Sequence, residues 1–210
     1  MASRVKKDRP NVRLAADIGG TFTDVAVFDD RTGELKFGKT LSTPHHLVEG
    51  ISNGIDKAGS SYAAASLFLH GSTVAINTIL ERTGAKTALV ITEGLRDIYE
   101  IGRINRPDAY NLFFRKHVPL IERALRFEVK ERVLADGEVE RELDEAEIAT
   151  LGEVLESRDV EACAILFLNC YARPDHEARA KAIIEANHPG MFVSASHELS
   201  QEYREFERAT

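Results

Sequence analysis

A chain of 210 residues with 43% hydrophobic and 29% charged content can bury a sizeable core and hold one large domain or two small ones. Its formal net charge of -7, with no basic stripe interleaved with aromatics, argues against a nucleic-acid binder and for a small ligand. No run approaches the length of a membrane span, and the basic, polar stretch from Met1 to Asn11 lacks a signal-peptide core. A tail over 1–11 on a cytoplasmic protein with no membrane contact is therefore expected.

In chain order, Val12, Leu14, Ala16 and Ile18 alternate with Arg13, Ala15 and Asp17, which predicts a strand. Val25 to Phe28 form a second, closed by Asp29-Asp30, so two strands flank Gly19-Gly20. Without side chains, Gly19 and Gly20 let main-chain N–H groups approach an anion, and Thr21 and Thr23 add hydroxyl donors on the same turn. Asp17 and Asp24 would repel a bare polyphosphate but suit one that carries Mg2+, held largely through water. A plain hairpin turn with solvated aspartates is the competing reading; the convergence of hydroxyls and carboxylates after a buried strand favours phosphate. The spacing is neither G-x-G-x-x-G nor a P-loop, so neither a dinucleotide fold nor a P-loop NTPase is supported.

A third strand over Glu34 to Leu41 completes a meander, and Thr43-Pro44 has the form of an N-cap for a helix with Leu47, Ile51, Ile55 and Ala58 on its apolar face, ending near Gly59. Ser66 to Leu69 reads as a strand, Val74 to Arg82 as a helix stopped by Gly84, and Thr87 to Ile91 as a strand. This alternation predicts an α/β sheet with parallel members. At the junction, His70-Gly71-Ser72-Thr73 opens a helix whose free N–H groups suit an anion, with Asn77 on the same face as Thr73. Helix capping explains these residues equally well, and proximity to the first turn decides between the two.

Thr92 to Asp97 follows a strand in the same way, with Glu100 and Arg103 beyond. Arg103 or Arg106 could clamp an anion, positioned by Asp97 or Glu100, although helix salt bridges account for them too. Ile101 to Ile121 fits neither period and reads as an inserted loop, and Phe127 to Glu140 as a hairpin around Asp136-Gly137. Asp144 with Glu147 resembles a capping box before a helix carrying Ile148, Leu151 and Leu155. Ala162 to Leu168 is a buried strand, Asp175 to Ala186 a helix and Met191 to Ser194 a last strand. Cys163 and Cys170 read as reduced packing residues. His45, His46, His117, His176, His188 and His197 lack metal-ligand spacing and receive no role.

Asp-Ile-Gly-Gly-Thr-Phe-Thr-Asp at 17–24, His-Gly-Ser-Thr-Val-Ala-Ile-Asn at 70–77, Thr-Glu-Gly-Leu-Arg-Asp with Glu-Ile-Gly-Arg through 103, and the ending Tyr-Arg-Glu-Phe-Glu-Arg-Ala-Thr together resemble the N-terminal region of the hydantoinase A/5-oxoprolinase family. The resemblance covers the chain from Arg13. It implies a ribonuclease-H-like sheet of the actin/Hsp70/sugar-kinase superfamily over 12–210, here as the N-terminal lobe alone with an inserted hairpin and loop. It also implies ATP and Mg2+ as cofactors. Carried over by position, Asp17 holds Mg2+ through water, Gly19, Gly20, Thr21 and Thr23 bind phosphates, Asp24 closes the hairpin, and His70 to Asn77 face nucleotide or substrate. Asp17 and Asp24 are then the catalytic candidates, and His70, Gly71, Ser72, Thr73, Asn77 and Arg103 the substrate or phosphate candidates. Ile76 and Leu95 depart mildly from the family pattern, and the expected length beyond Thr210 makes that residue look like a truncation point.

The implied activity is ATP-dependent hydrolysis of a cyclic amide (hydantoin, oxoproline or lactam), with a hydantoinase B-type partner subunit. A ketone carboxylase subunit, or a fragment that only binds a partner, are the alternatives. An apolar face including Tyr203 and Phe206 is expected to be exposed near the C-terminus and to favour self-association into a homo-oligomer.

Overall fold

The computed structural model describes residues 11–103, 108 and 110–210. The tail expected over 1–11 lies, apart from Asn11, outside the described residues, as do Arg106 and Pro107 of the inserted loop. The chain divides into two compact units, the first ending at Thr83 and the second spanning Gly84–Thr210.

In the first unit, β1 (Val12–Ile18), β2 (Phe22–Asp29) and β3 (Leu35–Leu41) form the expected antiparallel meander, and β4 (Ala65–Ser72) lies parallel to β1, giving the order β3-β2-β1-β4. A meander extended by a parallel strand beside β1 agrees with the ribonuclease-H-like sheet. The alternation in β1 buries Leu14, Ala16 and Ile18 on one face and leaves Arg13 and Asp17 exposed on the other. On the buried face α1 (Leu47–Lys57) packs Ile51 and Ile55 against Leu14, Ile18, Val25 and Val27, each such side chain contributing about 1.5–3 kcal/mol.

Helix α1 carries Gly50 and Gly54 on this buried face, although each costs about 1 kcal/mol of helix propensity relative to Ala. Close approach explains them. A Cβ on Gly54 would stand 2.5 Å from Val25 Cγ2, and one on Gly38 of β3 would stand 1.9 Å from the Gly54 carbonyl oxygen. The helix begins later than Thr43-Pro44 suggested, with His46 at the cap position. Thr43 still serves that end, because its hydroxyl donates to His46 O (2.7 Å) and accepts from Gly50 N–H (3.0 Å).

Strand β4 runs through His70 and Gly71 to Ser72 rather than stopping at Leu69, so the His70 motif starts inside a strand. Its partner β1 continues to Ile18, and pairing in register carries the extended conformation forward. Helix α2 (Val74–Glu81) follows and ends on Arg82 in the left-handed region at φ 55°. The turn residue is thus Arg82 rather than Gly84.

The second unit holds an all-parallel sheet, β10-β9-β5-β6, of β5 (Thr87–Thr92), β6 (Arg126–Val129), β9 (Ala162–Leu166) and β10 (Phe192–Ala195). Strand β5 pairs with β6 and β9 instead of continuing the β4 sheet, so the β4-α2-β5 alternation is not one crossover within one sheet. Both faces are covered. Ala88 and Val90 join α4 (Glu145–Ser157) and α5 (Asp175–Asn187) in one core, while Leu89, Ile91 and Leu166 pack with Leu95, Ile98 and Ala209 in another. The latter three come from around α3 (Ile98–Ile101) and from α7 (Glu205–Ala209).

The hairpin at Asp136-Gly137 is present but smaller than its alternation predicted, consisting of β7 (Arg132–Val133) and β8 (Val139–Arg141). Phe127 belongs to β6, because Leu89 to Thr92 offer it a parallel partner with a fuller core. Asp144 caps α4 by accepting from Ala146 and Glu147 N–H, but Glu147 turns its carboxylate to Lys130 N–H, leaving the capping box half formed. Tyr203 is 60% exposed as expected, whereas Phe206 packs against Gly102. Among the described residues no helix is long and apolar enough to cross a membrane.

Gly38→Ala is expected to destabilise the first unit by about 3 kcal/mol, since its methyl meets backbone rather than a mobile side chain. Gly33→Ala, at φ +71° in open space, should cost about 1 kcal/mol. Urea unfolding of the two variants measures the contrast.

Candidate functional site

Between β1 and β2 the backbone reverses over Gly19 to Thr21. Gly19 N–H donates to Phe22 O (2.9 Å), and a Cβ on Gly19 would stand 2.9 Å from that same oxygen, so the turn closes only with glycine there. Ser42, just past β3, holds the turn from below. Its hydroxyl donates to Gly19 O (2.8 Å) and shares a hydrogen bond with Thr23 Oγ1 (3.1 Å), while its N–H donates to Thr21 O (2.9 Å). What remains on the exposed rim is a set of donors. The N–H groups of Gly20 and Thr21 and the Thr21 hydroxyl meet no acceptor among the described residues.

The start of α2 sits against this turn. Thr73 donates to Ile18 O through both its N–H (3.1 Å) and its hydroxyl (3.3 Å), and Asn77 Nδ2 donates to Thr73 Oγ1 (3.3 Å). A Cβ on Gly20 would come within 2.9 Å of Asn77 Nδ2. The start of α2 and the glycine turn are thus close, as a shared ligand would require. Thr73, at the cap position, makes no side-chain cap hydrogen bond, while Ser72 before it accepts from Val74 N–H (3.3 Å). A cleft of about 170 Å³ lies between the turn and the helix, lined by Gly19, Gly20, Ser42, Leu47 and Asn77 among others.

Asp17 and Asp24 face each other across β1 and β2, and Gly71 of β4 stands on the other side of Asp17. Two like charges directly opposite repel. Lys39 relieves one of them, because it pairs with Asp24 (3.0 Å) from the neighbouring position on β3 while its ammonium lies 4.8 Å over the Phe22 ring. Asp17 has no ion pair among the described residues. Both carboxylates, Lys39, His70 and Gly71 line a cavity of about 680 Å³ whose apolar wall includes Ala15, Ala26, Phe37 and Leu69. No group of three or more His, Cys, Asp or Glu side chains among the described residues could hold a metal alone. One or two carboxylates completed by phosphate oxygens and water are the donor set Mg2+ prefers, and Asp17 beside the turn fits that set.

The family model described as the hydantoinase/oxoprolinase N-terminal region matches residues 13–188. The chain belongs to this family. Caprolactamase subunit alpha of Pseudomonas jessenii is 34% identical over 208 residues, covering 94% of this chain and 30% of that protein. The acetophenone carboxylase gamma subunit of Aromatoleum aromaticum is 32% identical, covering 99% of this chain and 31% of that protein. Among solved structures, the ATP-dependent caprolactamase of Pseudomonas jessenii superposes with a TM-score of 0.79, covering 94% of this chain and 30% of that one. Nucleotide-free acetone carboxylase does so with a TM-score of 0.82 at 27% identity, covering 95% of this chain and 31% of that one. The chain thus spans about a third of the length of these relatives.

In this hydantoinase/oxoprolinase chain the first two motifs meet within the first unit, and the third belongs to the second unit. Asp17, Gly19, Gly20 and Thr21 lie at one end of the first sheet with Ser72, Thr73 and Asn77, and His70 and Gly71 line the adjoining cavity. Thr23 departs from expectation. It is 1% exposed on the α1 side of β2, and its hydroxyl faces Ser42 instead of the open side of the turn. Asp24 is a strand residue that stands opposite Asp17 in the β1–β2 hairpin and pairs with Lys39. Arg103 belongs to the second unit and pairs with Glu207 of α7, while Asp97 pairs with Arg123 and Glu100 with Arg126. Ser42 and Lys39 are the residues that sequence reasoning missed. Lys39 reaches Asp24 only through the β2–β3 register, and Ser42 reaches the turn only where β3 ends beside it.

The histidine left without a role, His176, is in a buried polar cluster of the second unit. Glu131, 1% exposed, accepts from Thr92 Oγ1 and pairs with His176 Nδ1 (2.8 Å), and Thr92 Oγ1 in turn accepts from Leu168 N–H (2.8 Å). Glu177, fully buried, accepts from Phe167 and His197 N–H groups and from the Ser196 hydroxyl. These carboxylates tie strand ends to α5. Burial pushes the Cys163 thiol up to about 12, and burial followed by the nearby Glu177 charge does the same for Cys170.

Glu131→Ala should destabilise the protein by about 3 kcal/mol in denaturant unfolding, because it removes the buried acceptor of the Thr92 hydroxyl and the partner of His176 Nδ1. A thiol-specific disulfide reagent at pH 8 should label neither Cys163 nor Cys170 until denaturant is added, as thiolate is scarce four units below the thiol pKa.

Proposed function

We propose that the chain carries the phosphate-binding part of an ATP-dependent cyclic amide hydrolase of the hydantoinase/oxoprolinase type. The observation that carries this reading is the first turn of α2 seated on the Gly19-Gly20 turn, with two peptide N–H groups that meet no acceptor, and a carboxylate that has no ion pair, among the described residues. Relatives described as an ATP-dependent caprolactamase and as a 5-oxoprolinase of Saccharomyces cerevisiae support it from outside the structure.

An amide carbonyl is a poor electrophile, and phosphorylation of its oxygen converts it into an imidate-like carbon that water can attack. In that step a bond forms from the carbonyl oxygen to the γ-phosphorus, the bridging P–O bond breaks, and ADP leaves with its electron pair. Water then adds to that carbon, the ring C–N bond breaks as the nitrogen takes a proton, and a second water hydrolyses the resulting acyl phosphate, giving ring-opened acid, ADP and inorganic phosphate. Within this scheme the N–H groups of Gly20 and Thr21 and the Thr21 hydroxyl donate to phosphate oxygens. Asp17 would hold Mg2+ through water, and because Lys39 pairs with Asp24 a single carboxylate would be left for the cation. Asn77 and Gly71 shape the approach, Gly71 by leaving space beside Asp17. Thr23 is structural in this reading, and Arg103 takes no part.

The substrate is a small cyclic amide, the compartment is cytoplasmic, and the chain works with a hydantoinase B-type partner, in keeping with relatives described as subunits. A second reading is favoured by the acetophenone and acetone carboxylase relatives, in which a ketone and bicarbonate are phosphorylated instead. Nucleotide consumption in the presence of a lactam, against a ketone with bicarbonate, separates the two.

Calorimetric titration should show MgATP binding that Asp17→Asn weakens at least about tenfold and that magnesium chelation removes. Gly20→Ala should weaken binding by a similar factor, since its methyl drives Asn77 from its place and crowds the turn, while unfolding free energy falls by only about 1 kcal/mol. Absence of MgATP binding by the wild-type protein would reduce Gly19-Gly20 to a hairpin turn.

A further inference from the structure

We infer that Ser42 is a positioning residue that presets the phosphate turn, an inference that rests on the phosphate-binding reading of Gly20-Thr21. Ser42 is half-buried where β3 ends, and it makes two hydrogen bonds to the turn, one through its hydroxyl and one through its N–H. Its hydroxyl takes the Gly19 carbonyl and its N–H takes the Thr21 carbonyl. In a trans peptide the carbonyl and the following N–H point in opposite directions. Holding Gly19 O toward Ser42 therefore aims Gly20 N–H away from it, toward the exposed rim, and holding Thr21 O fixes the far end of the same turn.

A Gly-Gly turn needs such a device. Gly19 and Gly20 sample more backbone conformations than any other pair, so a turn left to itself would lose much of its affinity in ordering the donors when the anion arrives. Thr23 completes the clamp from the buried side: its hydroxyl, 1% exposed, shares a hydrogen bond with Ser42 Oγ and keeps it on the Gly19 carbonyl. This gives a reason for Thr23 to carry a hydroxyl although it cannot reach a ligand. It also makes Ser42 the link through which β3 supports the turn between β1 and β2.

The test compares wild type, Ser42→Ala and Ser42→Thr, titrated with MgATP and separately with magnesium tripolyphosphate, alongside amide order parameters of Gly20 and Thr21 in the ligand-free protein. Ser42→Ala should lose about tenfold affinity for both probes, as expected for one hydrogen bond that orders a turn, with Gly20 and Thr21 order parameters falling below about 0.6. Ser42→Thr, which keeps the hydroxyl, should restore both. Wild-type affinity in Ser42→Ala, or unchanged turn order, overturns the positioning role even if the melting temperature falls, and leaves the nucleotide reading intact. Failure of the wild type to bind either probe brings down the nucleotide reading itself, and the positioning role with it, whatever the turn order shows.

Discussion

The first unit depends on the parallel pairing of β4 with β1. Strand β1 is paired on both sides, antiparallel to β2 and parallel to β4, and its last residue, Ile18, gives its carbonyl to Thr73 across a separation of 55 residues. Because β1 is buried on one face by α1 and bonded along both edges, the hairpin turn at its end has little freedom as a body. A parallel neighbour must arrive by a crossover, and here α1 supplies it, lying close because Gly38 and Gly54 remove the side chains that would hold it off. The close packing of α1 and the meeting of the two motifs are therefore one structural fact.

That arrangement separates two kinds of hydroxyl and two kinds of carboxylate that look alike in the sequence. Thr21 faces solvent and Thr23 faces the helix side, as neighbours two apart on opposite sides of a turn and a strand. Asp17 is unpaired among the described residues and Asp24 is held by Lys39, although both point to the open face of the sheet. Roles in the site follow from these differences of surroundings, since the residue types are identical. In the second unit polar groups serve another end. Glu131 and Glu177 are buried with their donors supplied, so they specify how strand ends meet α5 and carry no open valence for a ligand.

Much of the fold was legible. The period-two run from Val12 to Ile18 gave β1 residue for residue, and the Asp144 cap, the Asp136-Gly137 turn and the stripe of Ile51 and Ile55 stood where local chemistry put them. Local signals misled where a partner strand overrode them. Phe127 was drawn from a hairpin into a parallel sheet by β5, and His70-Gly71 was drawn from a helix start into β4 by β1. Of the candidate site, Asp17, Gly19, Gly20, Thr21 and the His70 to Asn77 segment were named from the residues and their family resemblance. Ser42 and Lys39 were hidden because each acts through a cross-strand register that no local pattern prints.

The sequence by itself determined which short segments can approach an anion, because glycine, hydroxyl and carboxylate chemistry is a property of residue type and spacing. It also determined family membership, since the family model matches residues 13–188. Only the tertiary structure decided which of those segments meet, which hydroxyl faces out, which carboxylate is neutralised and which serine orders the turn. These are matters of pairing across many residues of chain, set by the burial of the α1 face and the register of β1 with its neighbours, and a single stretch of sequence does not contain them.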